Sequence, residues 1–313
     1  MNTIFAQDII DGLTSEEKHL SSKYFYDDTG SRIFQEIMAM PEYYLTNSEY
    51  EILSMQTSKI VDALAFNKPF NIIELGAGDG IKTFNLLEYL TQKKIDFTYV
   101  PIDISEEAIE MLLDKLNEKL PSLKVAPKVG DYFTILKENF TNTSTPNLLL
   151  FLGSNIGNYP HDNALELIKL FNQSINVGDK LLIGIDLKKN PNTIHQAYFD
   201  PHGITKRFNL NLLQRINREF DANFNINHFD FYCYYNPQNG EVRSYIISLK
   251  KQLIHIKKLD LQIEFDYDEL IWTELSKKYD LNGINQLAHD TGFKVLDHFL
   301  DCKHYFTDSL WKK

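Results

Sequence analysis

Positions 71–82, NIIELGAGDGIK, constrain this chain more than any other stretch: an apolar run ends in an acid and then breaks into a glycine turn. Such a run reads as a buried strand of a parallel sheet. Gly76 and Gly78 carry no Cβ, so the backbone can turn sharply there and come close to a ligand. The next apolar run, FTYVPID, ends at Asp103, well placed to accept bonds from ribose hydroxyls. Strand, glycine loop, helix, strand, acid is the order of a nucleotide-type site.

The loop itself narrows the ligand. A phosphate-binding Walker loop needs Gly-Lys followed by Ser or Thr, and here the order is Gly80, Ile81, Lys82, Thr83. A dinucleotide fingerprint needs a third glycine opening the helix, where this chain has Ile81. The remaining common ligand of such a loop is S-adenosylmethionine (SAM), which has no phosphate to cradle. Glu74 before the loop, and Asp131 in VGDYF after a third run, suit a cofactor whose amino-acid and adenosine ends both offer donors. A glycine-rich turn with no ligand is the bland reading. It loses ground because Glu74, Asp103 and Asp131 end three strand-like runs in succession.

Strand-like runs at 70–75, 97–102, 125–129, 147–152 and 180–186 alternate with helical windows such as 104–120 and 163–174. A helix is expected over 49–64, with Ile52, Leu53, Ile60 and Leu64 on its apolar face. The alternation predicts a doubly wound α/β fold with its ligands at the carboxyl ends of the strands. After Asp186 the rhythm changes: helices over 192–199 and 208–220 precede strands over 229–235, 242–250 and 252–265. A hairpin turning at Asn236–Gly240 does not fit inside a parallel sheet. A helix at 282–290, capped by Gly292, then leads to a final antiparallel pair of strands. The fold expected is a Rossmann-like class I SAM methyltransferase sheet with an inserted α+β substrate-binding domain. The cofactor domain would take 49–186 and 279–313, and the substrate domain 1–48 and 187–278.

Composition excludes whole classes. The net charge of −11, from 32 basic against 43 acidic residues, is wrong for wrapping nucleic acid. The 43% hydrophobic content supports a full core across 313 residues. The N-terminal residues lack the apolar stretch of a signal peptide, and no window approaches a membrane span. Cys233 and Cys302 show no ligand spacing and read as reduced thiols. The nine histidines do not cluster at metal-ligand spacing, so no metal is expected. A soluble, cytoplasmic protein is expected from these readings, acting as a monomer on a small molecule.

SSKYFYDDTGSRIFQEIMAMPEYYLTNSEYEIL, ELGAGDGIKT, FLGSNIGN, AYFDPHGITKRFN and WTELSKKY stand in this order along nearly the whole chain. In this the sequence resembles the histidine-specific SAM-dependent Nα-methyltransferases, which form hercynine in ergothioneine-producing organisms. The PEYY and FLGSNIGN stretches carry the resemblance more specifically than the glycine loop does. It implies that Tyr26, Gly76, Lys82, Asp103, Asp131 and Tyr132 contact the cofactor; beside that, the Tyr26 hydroxyl is expected to guide the lone pair of the reacting amine. Tyr43 matches a pocket tyrosine, and Asn158 and Tyr198 match the pair holding the amino-acid carboxylate. Thr205, Glu274 and Ser276 match the rest of the pocket, with Glu274 and Ser276 facing the imidazole.

Each of these residues also has a bland reading. Most of the 17 tyrosines pack, Asn158 suits a turn, and Glu274 lies between apolar neighbours on an expected helix, with Ser276 at the surface. Their joint match to one pocket is what lifts them. One position departs from the pattern: Ser244 stands where the family has a methionine, leaving the pocket larger or wetter. The same chemistry on another aromatic or modified amino acid is therefore the first alternative. A protein or RNA methyltransferase is the second, and a non-catalytic SAM-binding module the third.

Overall fold

The computed structural model describes residues 3–139 and 144–313. Two compact units emerge, one from residues 1–44 and 189–277, the other from 45–188 and 278–313. The divisions at 44/45, 188/189 and 277/278 lie beside those expected at 48/49, 186/187 and 278/279. Along the chain, α1 (Thr3–Thr14) and α2 (Asp28–Ala39) open the first unit. The second unit then supplies α3 (Tyr44–Met55), α4 (Thr57–Leu64), β1 (Phe70–Leu75), α5 (Ile81–Gln92), β2 (Phe97–Asp103) and α6 (Glu106–Lys119). It continues through β3 (Lys124–Val125), β4 (Lys128–Val129), α7 (Tyr132–Asn139), β5 (Asn147–Phe151), α8 (His161–Ser174) and β6 (Lys180–Asp186). The first unit resumes with α9 (Pro191–Tyr198), α10 (Ile204–Phe220), β7 (Phe229–Asn236), β8 (Glu241–Ser248), β9 (Gln252–Ile256), β10 (Leu261–Phe265) and β11 (Leu270–Lys277). The second closes with α11 (Leu281–Asp290), β12 (Lys294–Leu300) and β13 (Phe306–Lys312).

In the second unit the sheet order is β12-β13-β6-β5-β1-β2-β3, with β4 also on β2. The strands from β1 to β6 pair parallel. β13 runs antiparallel between β12 and β6, so the last strand of the chain is inserted inside the edge. This is a doubly wound α/β sheet. Strands β5 and β6 are buried at every residue, which is why their sequences read as unbroken apolar runs. The third run, expected as one strand over 125–129, is two short bridges because Pro127 has no N–H to give the ladder. The helix expected over 49–64 is two helices, broken at Gln56, with the Thr57 hydroxyl turned back onto the Leu53 carbonyl.

In the first unit β7, β8 and β11 make an antiparallel three-stranded sheet, and β9 and β10 a separate hairpin. The stretch 252–265, expected as one strand, therefore reverses at 257–260, where Asp260 adopts φ 48°. The β7–β8 turn closes through Gly240 N–H onto the Asn236 carbonyl at 2.8 Å. α1, the 3-10 turn at 22–25, α2 and α10 bury Phe5, Phe25, Ile33, Phe208, Leu212 and Ile216 together with Ile246 and Ile271 of the sheet. That core lies in one unit although its residues come from both ends of the sequence. Among the described residues no helix is long and apolar enough to cross a membrane, and no group of three or more acidic, His or Cys residues is placed to hold a metal ion.

Candidate active site

The second unit carries the glycine loop. Gly76, Gly78 and Gly80 have φ of 70°, 53° and 62°, a left-handed path that L side chains rarely adopt. A Cβ built on Gly76 or Gly78 would meet no atom within 4 Å, so the loop presents bare backbone to open space. Asp103, at the end of β2, ties this loop down: its carboxylate accepts from Gly78 N–H and Ser105 N–H, both at 3.0 Å. A carboxylate has about four lone-pair sites, so Asp103 keeps acceptor capacity for hydroxyls. Asp131 is exposed and accepts from the N–H (3.2 Å) and hydroxyl (3.1 Å) of Thr134 at the start of α7. Tyr132 follows it, its hydroxyl 2.9 Å from that of Tyr159 and its ring 4.5 Å from Phe133. Burial pushes the Tyr132 phenol above its ordinary range, so it stays neutral.

Glu74 and Lys82 are held differently from the way the sequence suggests. Glu74 is 4% exposed and accepts from the hydroxyls of Thr83 and Tyr99, so both its oxygens face the protein. Burial, helped by Glu49 and opposed by those hydroxyls and Lys82, raises its pKa to about 7. It braces the loop from beneath. Lys82, in the first turn of α5, forms an ion pair with Glu49 of α3, whose other oxygen accepts from Gly153 N–H at 2.7 Å. Asn158 ends a short 3-10 turn, 155–158, in the loop after β5 of the same unit. These residues fit an S-adenosyl ligand: a bare glycine backbone, an acceptor for ribose hydroxyls and an ammonium for a carboxylate.

The first unit carries the other expected residues, and a bulge aims them. Glu274 lies on β11, not on the helix expected, because pairing with β8 decides the conformation of a segment whose local preference is ambiguous. The register shifts between Trp272 and Glu274. Trp272 faces Tyr245 and Glu274 faces Ser244, so the intervening Thr273 is the extra residue. The shift brings Glu274 and then Ser276 onto the same face as Ser244, which itself stands opposite Cys233 of β7. Two residues apart on a helix would diverge; on a strand they share a face.

The end of α9 packs here. The Tyr198 hydroxyl is 2.9 Å from Ser276 Oγ, and Cys233 Sγ donates to the Tyr198 carbonyl at 3.6 Å. Tyr198 is 6.3 Å, ring to ring, from Tyr43, which is 6.3 Å from Phe34. Phe34 and Phe208 stand at 5.5 and 5.7 Å from the Tyr26 ring. Tyr26 is exposed over 48% of its surface, its ring edge packed on these two phenylalanines. Desolvation by that packing, with Glu274 and Tyr198 adding to it, holds the phenol well above its ordinary range. Thr205 sits buried in the first turn of α10 and donates its N–H to Asp200 Oδ2 at 2.8 Å. Asp200 caps the helix with further bonds from Ile204 and His202 N–H at 3.0 Å. Although burial opposes it, these donors hold Asp200 below the ordinary carboxylate range.

The structure thus gathers Tyr26, Tyr43, Tyr198, Ser244, Glu274 and Ser276 in one unit, lined by the rings of Phe34 and Phe208. Gly76, Gly78, Lys82, Asp103, Asp131, Tyr132 and Asn158 belong to the other. Sequence reasoning missed Glu49, Gly153 and Phe208. Glu49 had a signal: it stands three and four positions before Ile52 and Leu53, on the apolar stripe of its helix, where an acid needs a partner.

Comparison with known proteins agrees in scope with the sequence pattern. A family model described as histidine-specific methyltransferase, SAM-dependent, matches residues 5–313. The chain is 31% identical over 273 residues to the histidine N-alpha-methyltransferase of Mycobacterium tuberculosis (strain CDC 1551 / Oshkosh), covering 87% of this chain and 84% of that protein. It is 30% identical over 302 residues to the protein of the same name from Mycolicibacterium smegmatis, covering 96% and 90%. Ergothioneine biosynthesis protein 1 of Schizosaccharomyces pombe is 30% identical over 287 residues, which span 90% of this chain and 37% of that longer protein.

Proposed function

The chain belongs to the family of SAM-dependent, histidine-specific methyltransferases, and on that footing we infer that it moves methyl groups from SAM to the α-amine of L-histidine, in up to three steps. Bound SAM supplies an electrophilic methyl on a sulfonium. The observation that carries the substrate reading is the single face shared by Ser244, Glu274 and Ser276, with the Tyr198 hydroxyl on Ser276 and tyrosine and phenylalanine rings beside it. An imidazole offers an N–H donor at one edge and an apolar ring face, which such a surface accepts on both counts. Glu274 takes the ring N–H, and the Ser276 hydroxyl takes the other nitrogen.

No strong base is needed. The α-amine must be neutral to attack, and a nearby sulfonium disfavours its protonated form. Tyr26 stays a neutral phenol and acts by its hydroxyl, orienting the nitrogen lone pair rather than removing a proton. Alignment of nitrogen, methyl carbon and sulfur supplies most of the rate. Lys82, Asp103 and the loop glycines hold the cofactor, and Tyr198 meets the amino-acid carboxylate. The relative named for ergothioneine biosynthesis supports placing the product, trimethylhistidine, in that route.

Glu274→Ala tests the substrate assignment. Loss of a hydrogen bond to a charged group lowers kcat/KM for histidine by about 10- to 100-fold. The same change leaves phenylalanine or tryptophan derivatives no worse as substrates. An unchanged ratio between histidine and these competitors contradicts the role given to the carboxylate.

A further inference from the structure

Two buried acids, Glu49 and Asp308, take no part in the reaction as described. Glu49 is 1% exposed, and its two oxygens are shared between the Lys82 ammonium and Gly153 N–H. Gly184 of β6 leaves the space this carboxylate fills, since a Cβ there would fall 2.1 Å from Glu49 Oε1. Opposite Gly184 in register stands Asp308 of β13, fully buried, with neither carboxyl oxygen hydrogen-bonded. Three chain segments distant in sequence thus leave room for one acid, Glu49, and for its approach to one lysine.

We propose that Glu49 is a positioning residue for the cofactor, fixing the Lys82 ammonium where it meets the α-carboxylate of SAM. This rests on the reading of Lys82 as a cofactor contact. An ammonium has three donors. Glu49 takes one from the protein side, while the Lys82 side chain remains 26% exposed and keeps donors for an anion. A lysine stem is flexible, and freezing it before the ligand arrives removes an ordering cost from binding. Asp308, a second buried acid near Lys82, does not compete with Glu49 for it. Burial first, and Glu49 after it, push the Asp308 carboxyl well above its ordinary range, so it stays protonated and Lys82 has a single anionic partner.

The test is a double-mutant cycle read by calorimetric binding, with SAM and with decarboxylated SAM as ligands. Glu49→Gln keeps a carbonyl for Gly153 N–H but loses the charge. It is expected to weaken SAM binding by about tenfold or more, to leave decarboxylated SAM unaffected, and to have no further effect in a Lys82→Met background. Equal weakening of both ligands, or a loss that adds to that of Lys82→Met, overturns the proposal by making Glu49 merely structural. If Lys82→Met weakens SAM no more than decarboxylated SAM, the reading of Lys82 itself fails, and the proposal falls with it by a distinguishable route. Should Glu49→Gln not fold, Glu49→Asp, which keeps the charge but draws it back by one methylene, is read by the same criteria.

Discussion

Replacing Glu74 by glutamine should make the protein more resistant to unfolding at alkaline pH than at acid pH, relative to the parent. Glu74 ends β1, is 4% exposed, and has a pKa of about 7 where an ordinary glutamate has 4.5, chiefly because burial penalises its charge. Its folded pKa is raised, so the native state keeps the proton over a range in which the unfolded state has lost it. The stability of that protonated form is complete below pH 4.5 and declines as pH rises to about 7. Across that window each pH unit removes about 1.4 kcal/mol, or about 3 kcal/mol in all. Glutamine is nearly isosteric with the protonated acid and can still bond the Thr83 and Tyr99 hydroxyls. At pH 4.5 the variant should therefore lie within about 1 kcal/mol of the parent. By pH 8 the balance should have shifted by about 3 kcal/mol in its favour. Urea unfolding of both proteins at the two pH values measures this, and taking the difference between proteins cancels every other titrating group. A difference independent of pH would refute the argument, showing that Glu74 titrates alike in the folded and unfolded chain.

Other expectations follow from single contacts. Lys278 and Asp186 form an ion pair at 2.7 Å with both side chains fully buried. Lys278→Met, which strands the Asp186 charge, should cost about 3–5 kcal/mol in the same unfolding assay; a cost under about 1 kcal/mol would mean the carboxylate finds water or a proton at little expense. Tyr26→Phe removes the hydroxyl while keeping the ring against Phe34 and Phe208. It should lower kcat about tenfold with the KM for histidine little changed, and full turnover would remove Tyr26 from the chemistry.

Much of the sheet was legible because its strands are buried on both faces. The runs 70–75 and 180–186 coincide with β1 and β6 for that reason. What escaped was decided by a single residue or by a distant partner. Pro127 splits the third run, and Asp260 in a left-handed conformation turns one expected strand into a hairpin. Glu274 was misread as helical because WTELSK holds good helix formers, while the partner strand that overrides them lies some thirty residues earlier in the chain. The bulge that puts Glu274 and Ser276 on the face of Ser244 has no signal in the local sequence. The substrate residues were therefore reachable only through resemblance, and the cluster of Glu49, Lys82 and Asp308 only through three-dimensional packing.

The most direct test of the central claim is mass spectrometry of the purified protein incubated with SAM and each of the twenty amino acids. Successive gains of one, two and three methyl groups on histidine alone are the predicted result, and they would show that Ser244 is compatible with an imidazole. Methylation of a different amino acid, or no product from any of them while SAM still binds, would contradict the assignment of histidine to the face formed by Ser244, Glu274 and Ser276.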